Sequence, residues 1–190
     1  MDHFKSLTTE DDAQEYLDFH AKVIGAGMGR TAFDVGGDLV VKMAQNHNGN
    51  RQNESEATIL KCAPDAPVPT LHDTSLKSLG NHAWIIVDKV TPLKGRKRID
   101  TAVSSMVREC DSLDDLIALI WAGMHESYAA DDKEQHARLE KYHRVLYKTN
   151  TWYRGMFDLF DRCELSADEM HEANFGIDNQ GRMVMLDTGQ

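Results

Sequence analysis

The chain has 190 residues, 41% of them apolar, and a formal net charge of −10 with its histidines neutral. That length can bury a real core in one domain, while the acidic balance speaks against broad binding to nucleic-acid phosphates or anionic membranes, which need a basic face. The opening residues MDHFKSLTTEDD lack an apolar signal core, and no stretch approaches the ~20 apolar residues of a membrane span, so a cytoplasmic protein is expected. Cys62, Cys110 and Cys163 are widely spaced with no C-x-x-C, which fits a reducing compartment. Neither His125-Glu126 nor His171-Glu172 has a second histidine four residues on, so the zinc-protease motif is absent.

In chain order, Thr-Thr-Glu-Asp-Asp from Thr8 starts a helix running to about His20, with Ala13, Tyr16 and Leu17 on one stripe. From Lys22 the pattern becomes strand-like. Gly25, Gly27 and Gly29 form a turn whose backbone can approach a phosphate without interference from Cβ, or an ordinary Gly-rich hairpin. A second turn at Gly36-Gly37-Asp38 leads into Leu39-Val40-Val41 and Lys42. Residues 46–52 read as a polar, mobile connection, and 50–63 as a helix carrying Ala57, Ile59 and Leu60 at helical spacing, with Glu54 and Glu56 inside it. Pro64, Pro67 and Pro69 end that helix. An edge strand over 68–73 and a buried strand over 83–87 follow.

Lys94 to Arg98 is a basic run, read as a solvated face or as a contact for an acidic partner. Beyond it, Ser112-Leu113-Asp114-Asp115 is a capping-box variant ahead of Leu116, Ile117, Ile120, Trp121 and Met124. A charged helix over about 132–148 is expected to turn Leu139, Tyr142, Val145 and Leu146 inward, and another spans 152–162. The tail contains His171-x-x-Asn174, an apolar run 175–177, a turn at Asp178-Asn179-Gln180-Gly181, and a second apolar run 183–186. This is a β-hairpin signature. It brings Asn174 near Asp187, either as two polar ends of a surface hairpin or as a hard-oxygen pair of the kind Mg²⁺ accepts beside phosphates and water.

Taken together, the Gly25-Ala26-Gly27-Met28-Gly29 turn, Val40-Val41-Lys42, Asn174 and Asp187-Thr188-Gly189 resemble the protein-kinase-like fold. The form Met-His-x-x-Asn is most similar to small bacteriophage-encoded serine/threonine kinases and bacterial atypical kinases. The resemblance implies an α+β, reduced bilobal architecture. Residues 1–93 would make an antiparallel sheet with one helix, and 94–190 a small, mainly helical lobe. It also implies ATP and Mg²⁺ as cofactors. Gly25, Gly27, Gly29 and Lys42 would face phosphates, and Lys42 would pair with Glu56, Glu54 being the fallback. Backbone groups of Asp88 and Val90 would meet adenine, and Asn174 and Asp187 would hold metal.

Three departures accompany the resemblance. Arg30 stands where a third glycine is expected, so Gly29 substitutes for it or Arg30 itself touches phosphate. The catalytic Asp position, five residues before Asn174, is Glu169, with Asp168 beside it; either could serve as the base. An extra methylene moves the carboxylate oxygens by about a bond length, and about 1 Å of misplacement can cost ~10²-fold in rate. The sequence also ends directly after Asp187-Thr188-Gly189, so the platform that holds peptide substrates in ordinary protein kinases is expected to be missing. The resemblance therefore implies an ATP-dependent phosphotransferase acting on a protein hydroxyl. The alternatives are a pseudokinase that binds or inhibits a host protein, and a kinase for a sugar or antibiotic hydroxyl.

Overall fold

The computed structural model describes residues 1–63, 65–124, 133–163, 165 and 170–186. It is a mixed α/β structure with an antiparallel sheet and several helices. Helices α1 (Asp2–Lys5) and α2 (Glu10–His20) precede strands β1 (Lys22–Ala26), β2 (Arg30–Gly36) and β3 (Leu39–Ala44). Helix α3 (His47–Cys62), β4 (Leu71–Thr74), α4 (Leu76–Leu79) and β5 (Trp84–Asp88) complete this part. The five strands pair antiparallel in the order β1-β2-β3-β5-β4.

The sheet is covered on both faces, and alternation along β3 assigns them. Val41 and Met43 pack with Phe4, Leu17, Phe33 and Trp84 beneath α1 and α2. Val40 faces the other way, against Ala57 and Leu60 of α3. Lys42 shares the Val40 face by the same period of two, so the fold turns it toward α3. In α2, Thr9 Oγ1 accepts from Asp12 N at 3.1 Å, the expected cap.

Helix α3 starts earlier than the composition suggests. Asn46 Oδ1 accepts from Gly49 N at 3.1 Å, capping a helix that absorbs most of the segment read as a mobile connection. Polar residues obscured the start, because its inward stripe is Gly49, Asn53 and Glu56 before it becomes Ala57 and Leu60. The edge strand begins only at Leu71. Pro67 and Pro69 offer no amide to a ladder, and pairing opens with Asp88 N donating to Thr70 O at 3.1 Å.

Strand β6 (Thr91–Pro92), α5 (Arg96–Met106), α6 (Leu113–Met124), α7 (Lys133–Thr149) and α8 (Thr151–Cys163) lead to the hairpin of β7 (Phe175–Ile177) and β8 (Met183–Met185). Helix α5 contains most of the basic run; only Ile99 and Val103 are buried on it, too short a stripe to announce a helix. Ser112 Oγ accepts from Asp115 N at 3.2 Å, whereas the Asp115 carboxylate accepts from Asp111 N at 3.1 Å, one residue before its expected target. On α7, Leu146 is buried and Leu139 packs against the core, but Tyr142 and Val145 are exposed. The stripe that packs is narrower than the apolar spacing.

The hairpin turn is organised by Asp178, whose Oδ1 accepts from Gln180 N at 2.9 Å and Arg182 N at 2.8 Å, with Gly181 at φ 77°. Strand β6 is an unforeseen third member, pairing Thr91 with Ile177 and Pro92 with Gly176. Gly176 permits that approach: a Cβ there would lie 2.7 Å from Thr91 O. The hairpin is anchored further by Met185 N donating to Pro67 O and Trp152 Nε1 to Met183 O, both at 2.8 Å.

Candidate functional site

Lys42 Nζ lies 2.6 Å from Glu56 Oε1 and donates to Leu186 O at 3.1 Å. One side chain thus joins the sheet, α3 and the end of the terminal hairpin. Glu56 is 1% exposed and Glu54 is exposed, which selects between the two candidates. The selection follows from helical geometry, since Glu56 lies three residues beyond buried Asn53 on the face turned to the sheet.

Arg30 is a second cation on the same carboxylate, with its guanidinium nitrogen 2.6 Å from Glu56 Oε2. It also donates to Asn53 Oδ1 at 3.3 Å. Asn53, fully buried, directs its amide nitrogen at the carbonyls of Lys42 (3.3 Å), His82 (2.9 Å) and Ala83 (3.2 Å). Sequence reasoning missed Asn53 and left Arg30 undecided between phosphate and other roles. The available signal for Asn53 was a polar residue inside an inward-facing helical stripe.

The glycine turn lies beside this cluster. Gly27 N donates to Arg30 O at 2.8 Å, closing a tight turn whose tip, Met28, is fully exposed. A cavity of about 250 Å³ is lined by Gly25, Gly27, Gly29, Arg30, Lys42 and Gln52. Gly29 is more closely packed than Gly25 and Gly27, because a Cβ there would lie 2.7 Å from Gln52 Oε1 and 3.2 Å from Gly49 N. A hollow of about 390 Å³ elsewhere, between the end of α3 and β4, contains none of the expected site residues.

Asn174, 9% exposed, occupies the end of a 3₁₀ turn (Glu172–Asn174). Leu186 N donates to Asn174 O at 2.7 Å, so the residue before Asp187 is tied both to Asn174 and to Lys42. Asp187, Asp168 and Glu169 lie outside the described residues. Among the described residues no three His, Cys, Asp or Glu side chains converge on a metal-sized site.

At the strand exit, burial pushes the Asp88 carboxyl up, but hydrogen bonds from His72 and Thr70 outweigh it and hold the group below the usual carboxylate range. That side chain is therefore engaged with β4. Leu93 N donates to Phe175 O at 2.9 Å and Thr91 stands opposite Ile177. In an antiparallel ladder this turns the backbone groups of Thr91 and Leu93 to β7, and the Asp88 amide, expected to face adenine, instead donates to Thr70 O at 3.1 Å.

No protein-family model matches the chain, and no curated protein is similar to it in sequence. Among solved structures, the streptomycin–ATP–APH(2″)-IIa ternary complex is similar at a TM-score of 0.39 and 11% identity, covering 96% of this chain and 71% of that one. A likeness that slight carries neither fold nor function. Among the described residues no helix is long and apolar enough to cross a membrane.

Proposed function

We propose that the protein is an ATP-dependent phosphotransferase of the kinase-like type, with residues 1–93 and 94–190 as its two lobes. The observation that carries this reading is Lys42 bridging buried Glu56 and the carbonyl of Leu186 beside a glycine-lined cavity. An ammonium held in this way is aimed and desolvated, which suits a phosphate ligand.

In this reading adenine lies against the backbone at Val90, and the amides of the Gly25–Gly29 turn approach the phosphates with Lys42. Asn174 and Asp187 would supply an amide oxygen and a carboxylate of the kind Mg²⁺ accepts. The metal would spread the phosphate charge during in-line transfer. Glu169 or Asp168 orients the acceptor hydroxyl, for which a serine or threonine of a protein, in a phage or bacterial cytoplasmic setting, is the proposed source.

Calorimetry tests the nucleotide half. Mg-ATP should bind in the micromolar-to-millimolar range, about −8 to −4 kcal/mol, and Lys42→Ala should abolish it. Absence of binding to the wild-type protein at millimolar Mg-ATP refutes the reading. Labelling with γ-phosphate-labelled ATP tests transfer: Glu169→Ala or Asp168→Ala, whichever is the base, should lower the rate by about 10²–10⁴-fold without changing nucleotide affinity. Binding without transfer by the wild-type protein would make it a nucleotide-binding regulatory module instead.

A further inference from the structure

The glycine turn and helix α3 are strapped together by contacts from three successive residues of the turn. Met28 O accepts from Asn46 Nδ2 at 3.0 Å and Gly29 O from Gln45 N at 2.8 Å. Gly49 packs so closely that a Cβ there would lie 2.0 Å from Gly29 O. Arg30 then crosses to Asn53 and to Glu56 Oε2, with its side chain 9% exposed.

A carboxylate held by one cation can still rotate, because the terminal torsion of glutamate is broad. With Lys42 on one oxygen and Arg30 on the other, Glu56 can rotate only by breaking a charge-assisted bond in a buried place. We propose that Arg30 is a positioning residue. It fixes the Glu56 carboxylate, and through it the Lys42 ammonium, before any nucleotide arrives, and makes the glycine turn and α3 move as one body. The inference rests on the proposed role of Lys42 toward phosphates. It assigns Arg30, which stands where the resemblance expects glycine, an inward role rather than a phosphate contact.

The test compares Arg30→Met, which keeps the stem and removes the charge, with Arg30→Lys, which restores the charge on a shorter side chain without the planar fork of a guanidinium. Amide hydrogen exchange over 49–57 should accelerate tenfold or more in Arg30→Met and less in Arg30→Lys. The Mg-ATP Kd, measured where circular dichroism shows each variant folded, should weaken about tenfold in Arg30→Met and about threefold in Arg30→Lys. A purely structural role would lower the melting temperature and leave the Kd of the folded protein unchanged. Unaltered exchange, or a Kd within twofold of wild type in Arg30→Met, overturns the proposal. Should Arg30→Met fail to fold, Arg30→Lys decides on the same two readouts. Wild-type protein that binds no Mg-ATP would overturn the phosphotransferase reading itself. Binding that Lys42→Ala abolishes and Arg30→Met leaves intact would overturn only the positioning role.

Discussion

Glu56 lies among cations on one face of the sheet, whereas His143 and Tyr153 lie among aromatic and apolar side chains between α6, α7 and α8. In the first cluster each carboxylate oxygen has its own cation. The second has no such partners: Tyr153 Oη lies 2.9 Å from His143 Nδ1 and donates to Leu119 O at 3.3 Å. Burial pushes the His143 imidazole below its ordinary range and the Tyr153 hydroxyl above its own, so both are held neutral. One cluster sets a carboxylate between two cations, whereas the other is a neutral hydrogen-bonded chain that joins helices.

The comparison can be broken most directly at Glu56. Glu56→Ala should destabilise the protein by about 3–5 kcal/mol, because it removes the carboxylate between two largely buried cations. A urea titration reads this, and a loss below 1 kcal/mol would mean that the cluster is better solvated than its burial implies. Tyr153→Phe should cost less, about 1–3 kcal/mol, by leaving Leu119 O and His143 Nδ1 without the hydroxyl. If it cost more than Glu56→Ala, the ranking of charged over neutral clusters would be wrong.

His143 sharpens the contrast through pH. Its folded pKa is depressed below the unfolded value of about 6.5. Stability is therefore fully present above that value and is lost as the pH falls through it toward the folded pKa. Urea midpoints at pH 7.5 and 5.5 should differ, and His143→Gln should remove part of that difference; burial depresses His82 in the same way and supplies another part. A variant that keeps the whole difference would exclude His143 as a contributor. The smallest effect belongs to the surface. Arg96 pairs with Asp100 and Asp114, yet its side chain is 44% exposed, and Arg96→Ala should change stability by less than about 1 kcal/mol. A larger loss would give exposed pairs here a weight that solvent screening does not allow.

Patterns of short range were legible in the sequence. Thr9 and the acids after it start α2, and the Asp178–Gly181 turn makes its hairpin; these depend on capping and turn chemistry, which neighbouring residues express. Glu56 and Lys42 could be named as partners only through the resemblance. The start of α3 was hidden because its inward positions, Gly49 and Asn53, serve the glycine turn and the carbonyls of Lys42, His82 and Ala83 rather than an apolar core. The start of α5 was hidden by basic residues in its first turn, where the helix dipole disfavours them.

What the sequence by itself determined is the set of groups available: a flexible glycine turn, a strand that ends in Lys42, a helix bearing Glu56, and a hairpin between Asn174 and Asp187. Only the tertiary structure decided which of them meet. That Arg30 turns inward to Glu56, and that Lys42 reaches the carbonyl of Leu186, depends on two chain segments arriving at one point. Pairing of Thr91 with Ile177 likewise needs Gly176, whose lack of a side chain matters only once another backbone lies against it. Local sequence specifies dihedral and face preferences, whereas such meetings are selected by the free energy of packing the whole sheet, its helices and the hairpin together.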